Sequence, residues 1–166
     1  MNNFYYIQPV PIDFGAGKLQ QLTTILEKFH FQNGLLISAP SMIRNGVAQR
    51  IVEQSNGKIK EIFSDIQPNP TVANTDACAN MMRKKQYDFA VAIGGGSILD
   101  CAKIACFVAK TDDTTGVYFH KEKKITHTGI PLIAIPTTSG TASEVTNIAV
   151  LTDTEKGIKA PLVSDV

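Results

Sequence analysis

Asp88-Phe89-Ala90-Val91-Ala92-Ile93-Gly94-Gly95-Gly96-Ser97 is the stretch whose reading decides the fold. Phe89 to Ile93 is an unbroken apolar run with no polar alternate, which suits a strand buried on both faces in the middle of a parallel sheet. It runs straight into three glycines and a serine, and Ile98 to Val108 then carries the apolar content of a buried helix. A strand that enters a helix through a tight turn is half of a βαβ unit.

The same alternation extends in both directions. Toward the N-terminus, Phe4 to Gln8 reads as a strand and Phe14-Gly15-Ala16-Gly17 as a turn. Leu19, Leu22, Ile25, Leu26 and Phe29 recur at helical spacing, and Gly34 to Ser38 is a short apolar strand. Ile43 to Gln54 reads as one helix, Ile59 to Phe63 as a strand, and a Pro68-Asn69-Pro70 turn precedes a helix through Ala73, Ala77 and Met81. Toward the C-terminus, Thr111 to Thr128 is polar and is expected to loop out, and Ile130 to Ile135 is a buried strand. Glu144 to Leu151 and Ile158 to Val163 read as two strands joined by a turn around Asp153 to Gly157. The expectation is an α/β fold: a doubly wound, Rossmann-like parallel sheet with a C-terminal β-hairpin. Its 166 residues suit one domain, 1–166.

Composition narrows the functions. There are 16 basic and 15 acidic residues, for a net charge of +1, and no basic stripe interleaved with aromatics, which argues against nucleic acid as a partner. The first residues lack a cationic and apolar leader, and no apolar stretch approaches the roughly 20 residues that cross a bilayer, so no membrane partner is expected. Cys78, Cys101 and Cys106 are odd in number and lack CxxC spacing, as suits reduced, buried thiols in a cytoplasmic protein.

Right-handed crossovers would bring three loops to one edge of the sheet. In Gly94-Gly95-Gly96-Ser97, the glycines let the main chain approach a pyrophosphate and take conformations closed to other residues. The helix start offers free amides and a positive dipole end, Ser97 can add a hydroxyl and cap the helix, and Asp100 fits the acidic preference of a first turn. The second loop, Pro136-Thr137-Thr138-Ser139-Gly140-Thr141-Ala142-Ser143-Glu144, is rich in short hydroxyl donors for ribose and phosphate oxygens. The third, Pro68-Asn69-Pro70, leaves Asn69 to hydrogen-bond. The glycine turn is not GxGxxG, because Leu99 stands where the third glycine would be. Gly15-Ala16-Gly17-Lys18 is neither that pattern nor a P-loop and reads as a structural turn.

Taken in order, these pieces resemble the iron-containing alcohol dehydrogenases. Gly94-Gly-Gly-Ser-Ile-Leu-Asp-Cys-Ala-Lys103 is similar to that family's GGGSxxDxAK segment. Ile135-Pro-Thr-Thr-Ser-Gly-Thr-Ala-Ser-Glu-Val-Thr146 is similar to its second signature, and Gln67-Pro-Asn-Pro-Thr71 to a shorter third. Glycerol dehydrogenases and dehydroquinate synthases share the fold, but the Ser139 to Thr146 run is less like theirs. The resemblance implies the family's N-terminal, dinucleotide-binding domain. It implies that Gly95, Gly96, Ser97 and Asp100 line the pyrophosphate and nicotinamide end, and that Thr137, Thr138, Thr141 and Thr146 contact phosphate, ribose or nicotinamide. Asn69 would lie near the adenosine half, and Val150 and Lys159 near the nicotinamide ribose.

The chain departs from the family in two respects. NAD-preferring members tend to carry an acid just after the second strand, where this chain has Ala39 in Ile37-Ser38-Ala39-Pro40-Ser41. Without that carboxylate, Ser38, Ser41 or Arg44 could donate to a 2′-phosphate, so the expected cofactor is NAD(P), with NADP(H) slightly favoured. The family also holds Fe²⁺ with one Asp and three His of a helical C-terminal domain. That domain is absent here, and His30, His120 and His127 are too scattered to form a ligand set. The resemblance therefore implies a fragment of a two-domain enzyme with a small alcohol or aldehyde substrate, its isolated chain inactive. The other readings are a stand-alone, non-catalytic nucleotide-binding module and a glycerol-dehydrogenase-like enzyme with zinc. A tail hairpin or edge strand could pair two copies in a homodimer.

Overall fold

The computed structural model describes residues 9–164, and the expected strand Phe4 to Gln8 lies outside them. Four strands form a parallel sheet: β1 (Gly34–Ser38), β2 (Ile59–Phe63), β3 (Phe89–Gly94) and β4 (Leu132–Pro136), in the order β2-β1-β3-β4. β1 and β3 lie inside the sheet, and every residue of both strands is buried.

Period-two alternation divides the core into two layers. Phe89, Val91 and Ile93 of β3 join Leu36 of β1 on one face, where α1 (Leu22–Lys28) and α3 (Val47–Gln54) cover them with Leu22, Leu26, Ala48 and Ile51. Ala90 and Ala92 join Leu35 and Ile37 on the other face, beneath α4 (Val72–Lys85) and α5 (Gly96–Val108). The small alanines let the central helix α5, whose residues are apolar nearly all round, come close to β3. On the opposite face, the large Phe89 ring needs room, and Gly34 provides it. A Cβ on Gly34 would lie 2.1 Å from the ring.

The strands beginning at β5 (Ile148–Asp153) and β6 (Ile158–Val163) form a separate antiparallel hairpin packed on α4 and α5. An isolated parallel bridge, Thr71 to Thr152, and a bond from the Thr152 amide to the Pro70 carbonyl (2.9 Å) tie it to the loop before α4.

Several expected boundaries move. The helix expected from Ile43 to Gln54 is two helices, α2 (Pro40–Arg44) and α3, because Gly46 takes a left-handed φ of 76° and Asn45 Oδ1 accepts from the Val47 amide (3.1 Å). The expected loop Thr111 to Thr128 holds a short helix, α6 (Thr115–Phe119), whose apolar Tyr118 and Phe119 are buried. The Arg83 guanidinium closes the end of α5 by donating to the carbonyls of Val108, Thr111 and Asp113. The strand expected from Glu144 begins four residues later, and Ser143–Val145 is a 3-10 turn. The three cysteines are buried free thiols, and burial pushes the Cys101 thiol up to about 12. Among the described residues, no helix is long and apolar enough to cross a membrane.

Candidate functional site

β3 ends at Gly94, Gly95 is the N-cap, and α5 begins at Gly96. Gly94 and Gly96 serve space, and none of the three glycines serves conformation, which corrects the expectation of unusual backbone angles. None has a positive φ, and Gly95 is extended at φ −78°, ψ −176°. A Cβ on Gly94 would lie 2.5 Å from the Ile98 side chain, and one on Gly96 2.7 Å from that of Thr141. One on Gly95 would rest 3.4 Å from Thr138, at the near edge of ordinary contact. The amides of Gly96 and Ser97, the first two of α5, have no acceptor within the helix, whereas that of Ile98 is bonded back to the Gly95 carbonyl (3.0 Å).

The hydroxyl-rich loop closes over this turn. The Thr137 amide donates to the Gly94 carbonyl (3.0 Å), which continues the β3–β4 register, where Gly94 stands opposite Pro136. Thr137 and Thr138 are exposed beside the bend. Thr141 Oγ1 accepts from the Ser143 amide (3.3 Å), and Ala142 takes a left-handed φ of 51°.

The third loop meets the other two. Asn69 is left-handed (φ 59°), its amide donates to Ser97 Oγ (3.3 Å), and its Oδ1 accepts from Lys159 Nζ on β6 (2.7 Å). Ser97 therefore holds the Pro68–Pro70 loop and makes no cap bond to α5, contrary to expectation. Asp100 also differs from its expected role. It lies just past the first turn of α5, and its carboxylate is engaged by protein. Ser143 Oγ donates to one oxygen (2.5 Å), the Val150 amide donates to the other (3.0 Å), and Lys103 Nζ stands 3.6 Å away.

Together these loops line an open cleft of about 530 Å³ at the C-terminal edge of the sheet. It brings together eight of the positions expected from sequence: Asn69, Gly96, Ser97, Asp100, Thr141, Thr146, Val150 and Lys159. Gly95, Thr137 and Thr138 cluster at the tips of β3 and β4 next to it. Ala39 lies farther along the same edge as the N-cap of α2, its amide bonded to the Ile93 carbonyl (3.1 Å). The cleft also takes in Pro70, Ser143 and Ile148, which the sequence reading did not single out. Pro70 and Ser143 stood inside the motifs, whereas Ile148 carries no local signal.

The chemistry of this lining suits a dinucleotide, with glycines where side chains would block approach, hydroxyls, an amide and one lysine. It does not suit a metal. Among the described residues, no three His, Cys, Asp or Glu side chains converge. His120 pairs with Asp153 (3.0 Å) and His127 lies against the Phe107 ring, while His30 follows α1.

Comparison with known proteins places these features. The sequence model of the family described as iron-containing alcohol dehydrogenase matches residues 9–166. Alcohol dehydrogenase 4 of Saccharomyces cerevisiae is 30% identical over 165 residues, 97% of this chain and 42% of the yeast protein. The 4-hydroxybutyrate dehydrogenase of Cupriavidus necator is 35% identical over 150 residues, 89% of this chain and 39% of its own. Among solved structures, the sulfoacetaldehyde reductase of Bifidobacterium kashiwanohense in complex with NAD+ superposes with a TM-score of 0.95 at 40% identity, covering 99% of this chain and 44% of that one. The chain thus spans about two fifths of the length of the relatives it matches.

Proposed function

Because the chain belongs to the iron-containing alcohol dehydrogenase family, we propose that it is the part of an NAD(P)-dependent alcohol dehydrogenase that binds and orients the nicotinamide dinucleotide. One observation carries this reading: three loops far apart in sequence converge on a single cleft at the C-terminal edge of a parallel sheet, the place where open α/β sheets take their ligands. When bound, the nicotinamide accepts a hydride from an alcohol carbon or returns it to an aldehyde.

The chain's own residues divide the work of holding it. The amides at the start of α5, bared by Gly95 and Gly96, would take the diphosphate. Thr137, Thr138 and Thr141, beside the same turn, would donate to phosphate or ribose oxygens, and Asn69 and Lys159, bonded to each other next to Ser97, form a further wall of the cleft. Fixing the ring between these walls supplies orientation, the chain's contribution to rate. No metal step is assigned to these residues, since the described part of the chain holds no donor set. The proposal is that residues 1–166 alone bind dinucleotide weakly and turn over no alcohol. The substrate class is a small alcohol or aldehyde, and the three buried free thiols favour the reducing cytoplasm.

At the adenosine ribose the reading favours NADP(H). Ala39 offers no carboxylate to bind the 2′-hydroxyl or repel a 2′-phosphate. Ser38 is not available for this role, because it is fully buried and donates to the Ala39 carbonyl (3.1 Å). Ser41 and Arg44 are exposed on α2 and remain as donors.

Calorimetric titration with NADPH and NADH, wild type against Gly95→Val, tests the site. The backbone at residue 95 is one that a β-branched residue adopts without strain, so the variant folds and fills the path of the phosphates. Wild type is expected to bind, and the variant to lose at least about tenfold in affinity. Equal binding by both proteins would remove the diphosphate from this turn, and NADH binding more than about tenfold tighter than NADPH would overturn the preference.

A further inference from the structure

Lys103 stands one turn along α5 from Asp100 and is absent from the lining of the cleft. Its side chain is 21% exposed, and its ammonium donates to three main-chain carbonyls: Ser143 (2.9 Å), Thr146 (3.2 Å) and, at short range, Ile148. An ammonium has three N–H donors, and all three are used. These carbonyls belong to a segment that enters a ladder only at its last residue, Ile148. It runs through the 3-10 turn Ser143–Val145 to the first residue of β5 and supplies Ser143, Thr146 and Ile148 to the cleft. Asp100 completes the grip by taking the Ser143 hydroxyl and the Val150 amide. Two side chains one helical turn apart thereby bind five separate groups of residues 143–150, some 40 to 50 residues away, where the 3-10 turn leads into β5. Burial lowers the Lys103 pKa from the usual lysine range, and the Asp100 carboxylate works against that fall.

We infer that Lys103 is a positioning residue of the cofactor cleft: its ammonium takes the place a bound cation would have among three carbonyls, and so sets the shape of the 143–148 wall against which the dinucleotide rests. The inference depends on the dinucleotide reading of the cleft. Neither a carbon stem nor a planar guanidinium replaces this function, because the site needs a compact charge with three divergent donors.

The test compares wild type, Lys103→Met and Lys103→Ala in the full chain by NADPH and NADH titration and by amide hydrogen exchange. Lys103→Met, which retains most of the stem, is expected to weaken dinucleotide binding about tenfold or more. It should also speed exchange across residues 143–150 while β1 and β3 stay protected. For Lys103→Ala, added propylammonium, the fragment deleted, is expected to restore part of the affinity, whereas tetramethylammonium at equal ionic strength restores none. A residue that served only general stability would gain nothing from the first amine over the second. Unchanged affinity in Lys103→Met overturns the inference, whether or not exchange changes, and so does equal rescue by both amines. Failure of the wild type to bind either dinucleotide instead defeats the reading of the cleft, and exchange at 143–150 still reports on the clasp by itself.

Discussion

The Asp153 carboxylate accepts from the amides of Glu155 (2.9 Å) and Lys156 (3.1 Å) and faces His120 Nε2 (3.0 Å), so one side chain holds the β5–β6 turn and pins it to the end of α6. The Lys156 amide, followed by that of Glu155 and by His120, holds its carboxyl below the usual carboxylate range, against the opposing push of burial. A carboxylate depressed in the folded state adds stability that is present above its unfolded pKa and is lost as pH falls through the folded value. Asp153→Asn is therefore expected to unfold at lower urea than wild type at pH 7, with the gap narrowing below about pH 4. Urea midpoints at pH 7, 4 and 3 check this, and a gap that widens on acidification would refute it. At this scale the sequence revealed residue types but not their assignments. Ser97, Asp100 and Lys159 all line the cleft, yet Ser97 also accepts from Asn69, Asp100 is bonded to Ser143 and Val150, and Lys159 reaches Asn69.

Among the elements, α4 begins with a full capping box. Thr71 Oγ1 accepts from the Asn74 amide (3.0 Å), and Asn74 Oδ1 accepts from the Thr71 amide (3.2 Å). Thr71 also bridges to Thr152, so the same residue starts the helix and anchors the hairpin. Thr71→Ala is expected to cost about 1 kcal/mol of unfolding free energy. Chemical denaturation with an unchanged m-value checks this, and a loss of only a few tenths would mean that the cap is dispensable. The buried strands β1 and β3 were readable from their apolar runs because a strand covered on both faces must be apolar throughout. The break between α2 and α3 was missed because one residue, Gly46 in a left-handed conformation, interrupts an otherwise helical pattern. α6 was missed because its five residues sit in a polar stretch, and its stability comes from burying Tyr118 and Phe119, the first bonded to Asp113 (2.7 Å).

For the whole molecule, any ligand that binds only the folded chain adds stability in proportion to the logarithm of its concentration. At about 100 times its Kd, NADPH is expected to add about 2.7 kcal/mol and raise Tm, with no such rise in Gly95→Val. Thermal scans across a cofactor series measure this, and equal rises in both proteins would place the ligand elsewhere.

The sequence by itself determined the parallel α/β sheet, the three loops at one edge and the family, because apolar periodicity and turn residues act over a few positions and are written locally. Only the tertiary structure decided which polar groups remain free for a ligand. Asp100 is bound to residues 43 and 50 positions away, Lys103 to carbonyls 40 to 45 away, and Lys159 to an amide side chain 90 away. A hydrogen bond needs its partner within about 3 Å, and no local pattern records which distant residue the fold will bring that close.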